Sequence, residues 1–246
     1  MRRQLREAAA ELILTAALLL LVSTVVRWLL APDSPAVAAV PDPTLRLAGV
    51  ALAVGAAIAL VMSPPARRFT AGHLNPAVTV GLWALREFPG RAVLPFVAAQ
   101  LTGSALGTGL GRAVWGPMAD TAAVAPGEAW SGTAVLVLEA AAMAAMTLLA
   151  AYALIAPRLA RALPVLMGGS VAAAIVGLGP VTGGSVNPAR QFGPALWSGQ
   201  TAHLAAYVLA PVLGALLAAA AFRIVRARAR THVRPRVRSL GPPHAL

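Results

Sequence analysis

Two short runs in this chain place polar side chains at spacings with a chemical meaning. AGHLNPAVTV (Ala71–Val80) and TGGSVNPARQFGPAL (Thr182–Leu196) each set Asn directly before Pro, behind a glycine-bearing stretch. Asn is a favoured helix N-cap, its side-chain oxygen accepting from the first free backbone N–H groups. Pro suits the next position, because its fixed φ is helical and it has no N–H to strand. Asn75-Pro76-Ala77 and Asn187-Pro188-Ala189 therefore read as two helix starts. The apolar segments that follow, Pro76–Arg86 and Pro188–Trp197, hold only about ten residues each. At 1.5 Å per residue that is ~15 Å, half of a hydrocarbon core of ~30 Å, so both read as re-entrant half-helices.

If two such starts meet from opposite membrane faces, their positive dipole ends converge on one spot. With each cap oxygen engaged by backbone, each Asn amide is left to donate into the lumen. A passing water accepts from both amides, and its own hydrogens point away along the file. The same positive potential opposes cations and hydronium. Irregular backbone at that depth is tolerated only around a watery cavity, into which the TAGH and TGGS segments would present carbonyls. The chemistry implied is a pore for small neutral molecules. Four further side chains belong to it. Arg190 follows the second box, and an arginine at membrane depth lines a cavity by default. Glu11 and Glu139 suit a structural role, accepting backbone N–H bonds that pin the irregular loops. His73, beside the first box, reads as a loop hydrogen-bonding residue.

The elements that must position these groups are membrane helices. Of the 246 residues, 59% are hydrophobic and 11% charged, with a mean hydropathy of +0.76. Soluble domains carry about 25% charged residues. Six apolar segments are long enough to span: Glu11–Leu30, Leu45–Met62, Ala92–Val114, Thr133–Ile155, Leu163–Gly179 and Thr201–Phe222. The first is too long for a cleavable signal, and further spans follow it. Loop charge sets the orientation. Ala31–Thr44 and Pro117–Gly132 are acidic and read as outside, whereas Arg67, Arg68, Arg86, Arg91, Arg158 and Arg161 fall inside. Both termini then lie in the cytoplasm, with Arg2, Arg3 and Arg6 at one end and seven arginines from Arg223 to Arg238 at the other.

The two Asn-Pro pairs lie 112 residues apart, and each half carries three spans, an odd number, so the halves insert with opposite orientation. Paired short segments in such inverted repeats mark the functional site. The expected organisation is a single channel domain over residues 1–222, with repeats at about 10–113 and 132–222. An Arg/Pro-rich cytoplasmic tail, residues 223–246, follows it. The glycines at 103, 107, 109 and 111 read as close-packing positions between helices.

GHLNPAV and TGGSVNPARQFGPAL resemble the paired signatures of the aquaporins, the major intrinsic protein family. Ala10-Glu11 with Thr15 in the first span and AQLTG (Ala99–Gly103) in the third add to the resemblance, which runs from Glu11 to about Phe222. It implies a fold of six transmembrane helices plus two re-entrant half-helices, and a plasma-membrane homotetramer with one pore per subunit. It also implies an outer constriction built from four positions. Arg190 matches the filter arginine directly, Gly184 takes the loop position, and Ile175 takes the fifth-helix position. Val54 takes the second-span position, with Gly55 as the alternative one residue on. Water-selective members typically place Phe and His where Val54 and Ile175 stand, so this neck is wider and more apolar. Glycerol, urea, boric acid and arsenous acid thereby join water as expected permeants. The aquaglyceroporin Asp after NPAR is absent, replaced by Gln191. Tyr207 and Val208 before Pro211 resemble the plant metalloid-permeable branch.

Other classes find little support. With no cysteine and no lysine, thiolate metal sites and lysine-bearing phosphate loops are excluded. No nucleophile–base set or carboxylate cluster suggests an enzyme, and His203, His232 and His244 lack metal-like spacing. No cofactor is expected. The net charge of +12 sits mainly at the two ends, where it faces lipid headgroups. Without aromatic interleaving it does not point to nucleic acid. A secondary active transporter also uses inverted repeats, but it needs a mid-span acid facing its substrate, and only Glu11 and Glu139 qualify.

Overall fold

The computed structural model describes residues 2–66, 70, 72–117 and 122–232. Arg67, Arg68, Asp120, Arg234, Arg236, Arg238 and His244, which carried part of the loop-charge and tail reading, lie outside the described residues. The described residues form helices α1 (Arg2–Leu30), α2 (Pro35–Ala39), α3 (Pro43–Val61), α4 (Pro76–Ala84), α5 (Gly90–Trp115), α6 (Gly132–Ala153), α7 (Pro157–Thr182), α8 (Pro188–Ser198) and α9 (Leu204–His232). Six of these, α1, α3, α5, α6, α7 and α9, are long and apolar enough to cross a membrane, and α4 and α8 are the half-length pair.

Three helices overrun the expected spans where the charge begins. α1 starts nine residues early and carries an Arg3–Glu7 pair one turn apart, at 2.8 Å. α7 starts at Pro157 and takes in Arg158 and Arg161. α9 continues through Arg223, Arg226 and Arg228 to His232, so the segment after Phe222 is helical at its start. Helix α2 lies in a segment expected to be loop. Ser34 caps it, with its side chain accepting from Ala36 N, and Pro35 opens it.

The halves pack on small residues. A Cβ on Gly107 would lie 2.1 Å from the carbonyl oxygen of Ala16, which locks α5 against α1; a Cβ on Gly214 would lie 2.0 Å from that of Ala140, locking α9 against α6. Helices α3 and α7 cross between the halves at Gly55 and Gly168. There a Cβ on either residue would meet the other's carbonyl oxygen, at 2.6 and 2.3 Å. Close approach of this kind is how helices associate in lipid, where apolar burial gives no drive. The half-helices are held at their outer ends by matching arginines: Arg223 Nη1 donates to the carbonyl of Ala84 at 3.1 Å, and Arg112 Nη1 to that of Trp197. A cation at a helix C-terminus also complements the negative end of its dipole.

Candidate functional site

The two Asn-Pro turns meet in the middle of the molecule. Asn75 Oδ1 accepts from Ala77 N at 2.8 Å; Asn187 Oδ1 accepts from Ala189 N at 2.9 Å and from Arg190 N at 3.3 Å. Pro76 and Pro188 open α4 and α8, and Ala77 and Ala189 are fully buried behind them. Each amide then crosses to the other half. Asn75 Nδ2 donates to the carbonyl of Val186 and Asn187 Nδ2 to that of Leu74, both at 2.9 Å. This corrects one expectation. One hydrogen of each amide ties the two loops together, leaving one rather than two for the lumen, and the Leu74 and Val186 carbonyls are spent on the tie.

The loops before the boxes are built alike at three pairs of residues 112 apart: Thr70 and Thr182, His73 and Ser185, Leu74 and Val186. Glu11 accepts from Thr70 Oγ1 (3.0 Å), His73 N (3.0 Å), Leu74 N (2.8 Å) and Gln100 Nε2 (2.7 Å). Glu139 accepts from Thr182 Oγ1 (2.7 Å), Ser185 N (3.0 Å) and Val186 N. These bonds hold Leu74 and Val186 at φ +50° and +44°. Such values are uncommon for any side-chain-bearing residue and an outlier for the β-branched Val186, and they persist only where the surroundings over-determine them. His73 is a loop residue whose Nδ1 lies 3.0 Å from Thr79 Oγ1, with its ring edge-on to Phe88.

A cavity of about 390 Å³ runs past both asparagines, with Val54, Ile175, Gly184 and Arg190 along it. Gly55 packs against Gly168 between α3 and α7 and does not line the cavity, so Val54 is the second-span residue facing the lumen. At Gly184 a side chain is impossible: φ is +58° and a Cβ would sit 2.2 Å from the carbonyl oxygen of Ala174. Arg190 Nη1 donates to the carbonyl of Ala122 at 2.7 Å. Among the described residues lining this cavity, Arg190 is the one Arg, Asp or Glu. Glu11 and Glu139 are fully buried behind the loops and line neither this cavity nor the one that continues from His73 and Met167 toward Arg3.

Sequence reasoning missed several lining residues. Met62, Met143, Met146 and Met167 face the cavity. Val124 does so from the segment between α5 and α6, whose sequence signal is its charge. The spacing of Met143 and Met146 on one face of α6 is the only sequence signal for these lining residues. Tyr207, singled out in the sequence by its place before Pro211, does not line the cavity; it is buried, and its hydroxyl donates to the carbonyl of Thr182.

A family model described as major intrinsic protein matches residues 2–222. The chain belongs to that family. Its members are passive membrane channels for water and small uncharged solutes, not enzymes. Among relatives, the chain is 34% identical over 168 residues to aquaporin AqpM of Methanothermobacter marburgensis, covering 61% of this chain and 66%, just under two thirds, of that protein. It is 34% identical over 229 residues to the probable aquaporin TIP4-1 of Oryza sativa subsp. japonica, covering 92% and 89% of the two. Its fold is that of the solved aquaglyceroporin from Plasmodium falciparum, with a TM-score of 0.73 over 93% of this chain and 99% of that one, at 19% identity.

Proposed function

We propose that this channel passes water together with neutral solutes of glycerol, urea or boric-acid size, through a neck formed by Val54, Ile175, Gly184 and Arg190. The observation that carries the reading is that the cavity is lined at these positions by two aliphatic side chains, a bare backbone and a single guanidinium. A neck without aromatic or imidazole groups leaves room for a carbon skeleton on the apolar side. The Arg190 guanidinium and the Gly184 backbone would then bind the solute's oxygens. Further in, Asn75 and Asn187 each offer one N–H at the point where two helix N-termini converge. A permeant must accept there to pass, and a cation meets both positive ends.

The channel domain spans residues 1–222 in this reading, as two inverted repeats, with the segment from Arg223 as a cytoplasmic extension. Six crossings return the chain to the side on which it began. The arginines at α1 and beyond Phe222 put that side in the cytoplasm, with anionic lipid headgroups as their neighbours. Four subunits, each with its own pore, would sit in the plasma membrane. The transporter alternative lacks its required part, since the two buried acids are occupied by loop hydrogen bonds away from the lumen.

Stopped-flow light scattering on proteoliposomes tests this, comparing osmotic water flux with glycerol and boric acid uptake. Rapid, gradient-independent uptake of both solutes is expected. Fast water with negligible solute uptake would make this a water channel. Uptake that collapses without a proton or sodium gradient would remove the channel reading.

A further inference from the structure

We infer that the outer segment Ala122–Gly127 forms a strap that narrows the pore mouth, and that the side-chain amide of Gln191 is the latch that holds it. Val124 is thereby a further residue setting the size limit for solutes. The inference rests on the neutral-solute reading above and adds two residues outside the four neck positions.

Gln191 is almost wholly buried and grips the backbone of Val124 from both sides. Its Nε2 donates to the Val124 carbonyl at 2.7 Å, and its Oε1 accepts from Val124 N at 3.1 Å. No other residue type reproduces that pair of bonds at that reach, because a carboxylate accepts only and an aliphatic side chain does neither. Held this way, the isopropyl group of Val124 lies directly over Gly183, where an added Cβ would be 2.3 Å from the Cβ of Val124. Val124 thus faces the cavity that Arg190 lines. Two residues earlier, the Ala122 carbonyl receives the Arg190 guanidinium at 2.7 Å. Two residues later than Ala125, Gly127 N donates to the carbonyl of Val181 at 3.1 Å, and a Cβ there would lie 2.5 Å from that of Pro180. Neighbouring side chains of α8, Arg190 and Gln191, therefore hold the strap at Ala122 and Val124.

The strap also has somewhere to go. Val124 and Ala125 line a second cavity of about 490 Å³ on their other side, bounded by Gln191, Gln200 and His203. With the latch released, nothing described fills that space, and the strap can retreat from the lumen without displacing packed side chains. A wider mouth follows. The effect is differential: a solute smaller than the neck gains little, whereas one that touches Val124 gains the cost of that contact.

The experiment measures size selectivity in proteoliposomes, as the ratio of erythritol to glycerol uptake alongside water flux. Val124→Ala should raise the ratio several-fold, and Val124→Phe should lower glycerol uptake. Gln191→Met keeps the volume, drops both hydrogen bonds and should move the ratio in the same direction as Val124→Ala. The double variant should exceed neither single by much, because both act through one contact; interaction of this kind is what a double-mutant cycle isolates. An unchanged ratio in the Val124 variants, or strictly additive effects of Val124→Ala and Gln191→Met, would overturn the inference. A fall in all fluxes together would do so too, because it marks Gln191 as merely structural. If Gln191→Met does not fold, the opposed Val124→Ala and Val124→Phe results decide alone. A wild type that passes water and no solute would sink the solute reading. The strap would then be judged by whether Val124→Ala and Gln191→Met admit glycerol.

Discussion

At the scale of single residues, the neck can be titrated by size and charge. Ile175→His would add a polar ring to the lumen opposite Arg190. Glycerol uptake should fall about tenfold relative to water, a change of ~1.4 kcal/mol in the barrier, read by the same stopped-flow assay. Equal loss of both fluxes would mean that position 175 serves packing alone. Asn187→Asp keeps the cap oxygen but removes the amide that reaches the Leu74 carbonyl, and it introduces a negative charge where two helix N-termini converge. Proton leak, followed with a trapped pH dye in proteoliposomes, should rise, and an unchanged leak would count against the dipole account. The residues of this centre were legible because Asn-Pro is a local signal, with capping and proline geometry both acting within three positions. Which α3 residue lines the cavity was not, since Val54 and Gly55 differ by one step in register. Only the Gly55–Gly168 crossing decides which of them faces the lumen.

At the scale of elements, the two acids matter more than their small number suggests. Glu139→Gln would turn an acceptor-only group into one whose amide N–H₂ faces existing donors. The Ser185 and Val186 N–H groups then lose part of their satisfaction, at about 1–3 kcal/mol for each donor left unpaired. A lowered thermal midpoint in detergent is expected, with a similar loss for Glu11→Gln, and midpoints equal to wild type would refute the pinning role. Gly107→Ala should likewise disrupt the α1–α5 crossing, because the new methyl group would overlap the Ala16 carbonyl; reduced yield of folded protein by size-exclusion chromatography is the measure. The spans themselves could be read from hydropathy, but their ends could not. Apolar counting ends where the charges begin, yet backbone hydrogen bonding does not depend on side-chain polarity, and the helices simply continue through Arg3, Arg158 and Arg223. Helix α2 escaped notice although Ser34-Pro35 offers the same cap-then-proline start as the two boxes.

At the scale of the whole molecule, the inverted repeat could be read from two boxes and an odd span count, whereas the contacts that bind the halves could not. The Asn75–Val186 tie joins residues 111 apart in sequence and the Asn187–Leu74 tie residues 113 apart, and no local pattern announces either. Mass photometry of the detergent-solubilised protein should give four times the 25.0 kDa chain mass plus that of its detergent belt, and a monomer would remove the tetramer from the proposal.

The reciprocal tie between the boxes also bears on how the channel is made. The Leu74 carbonyl and one Asn75 hydrogen find their partners only in Val186 and Asn187. At a synthesis rate of ~5–20 residues per second, those partners emerge on the order of ten seconds later. During that interval the first half sits in the bilayer as an unfinished object, with its helix start uncoupled. Truncated or stalled chains ending before residue 187 would share this defect permanently. Half of this molecule thus differs from the whole in a specific way: the polar groups of its first Asn-Pro turn lack the partners that the second supplies.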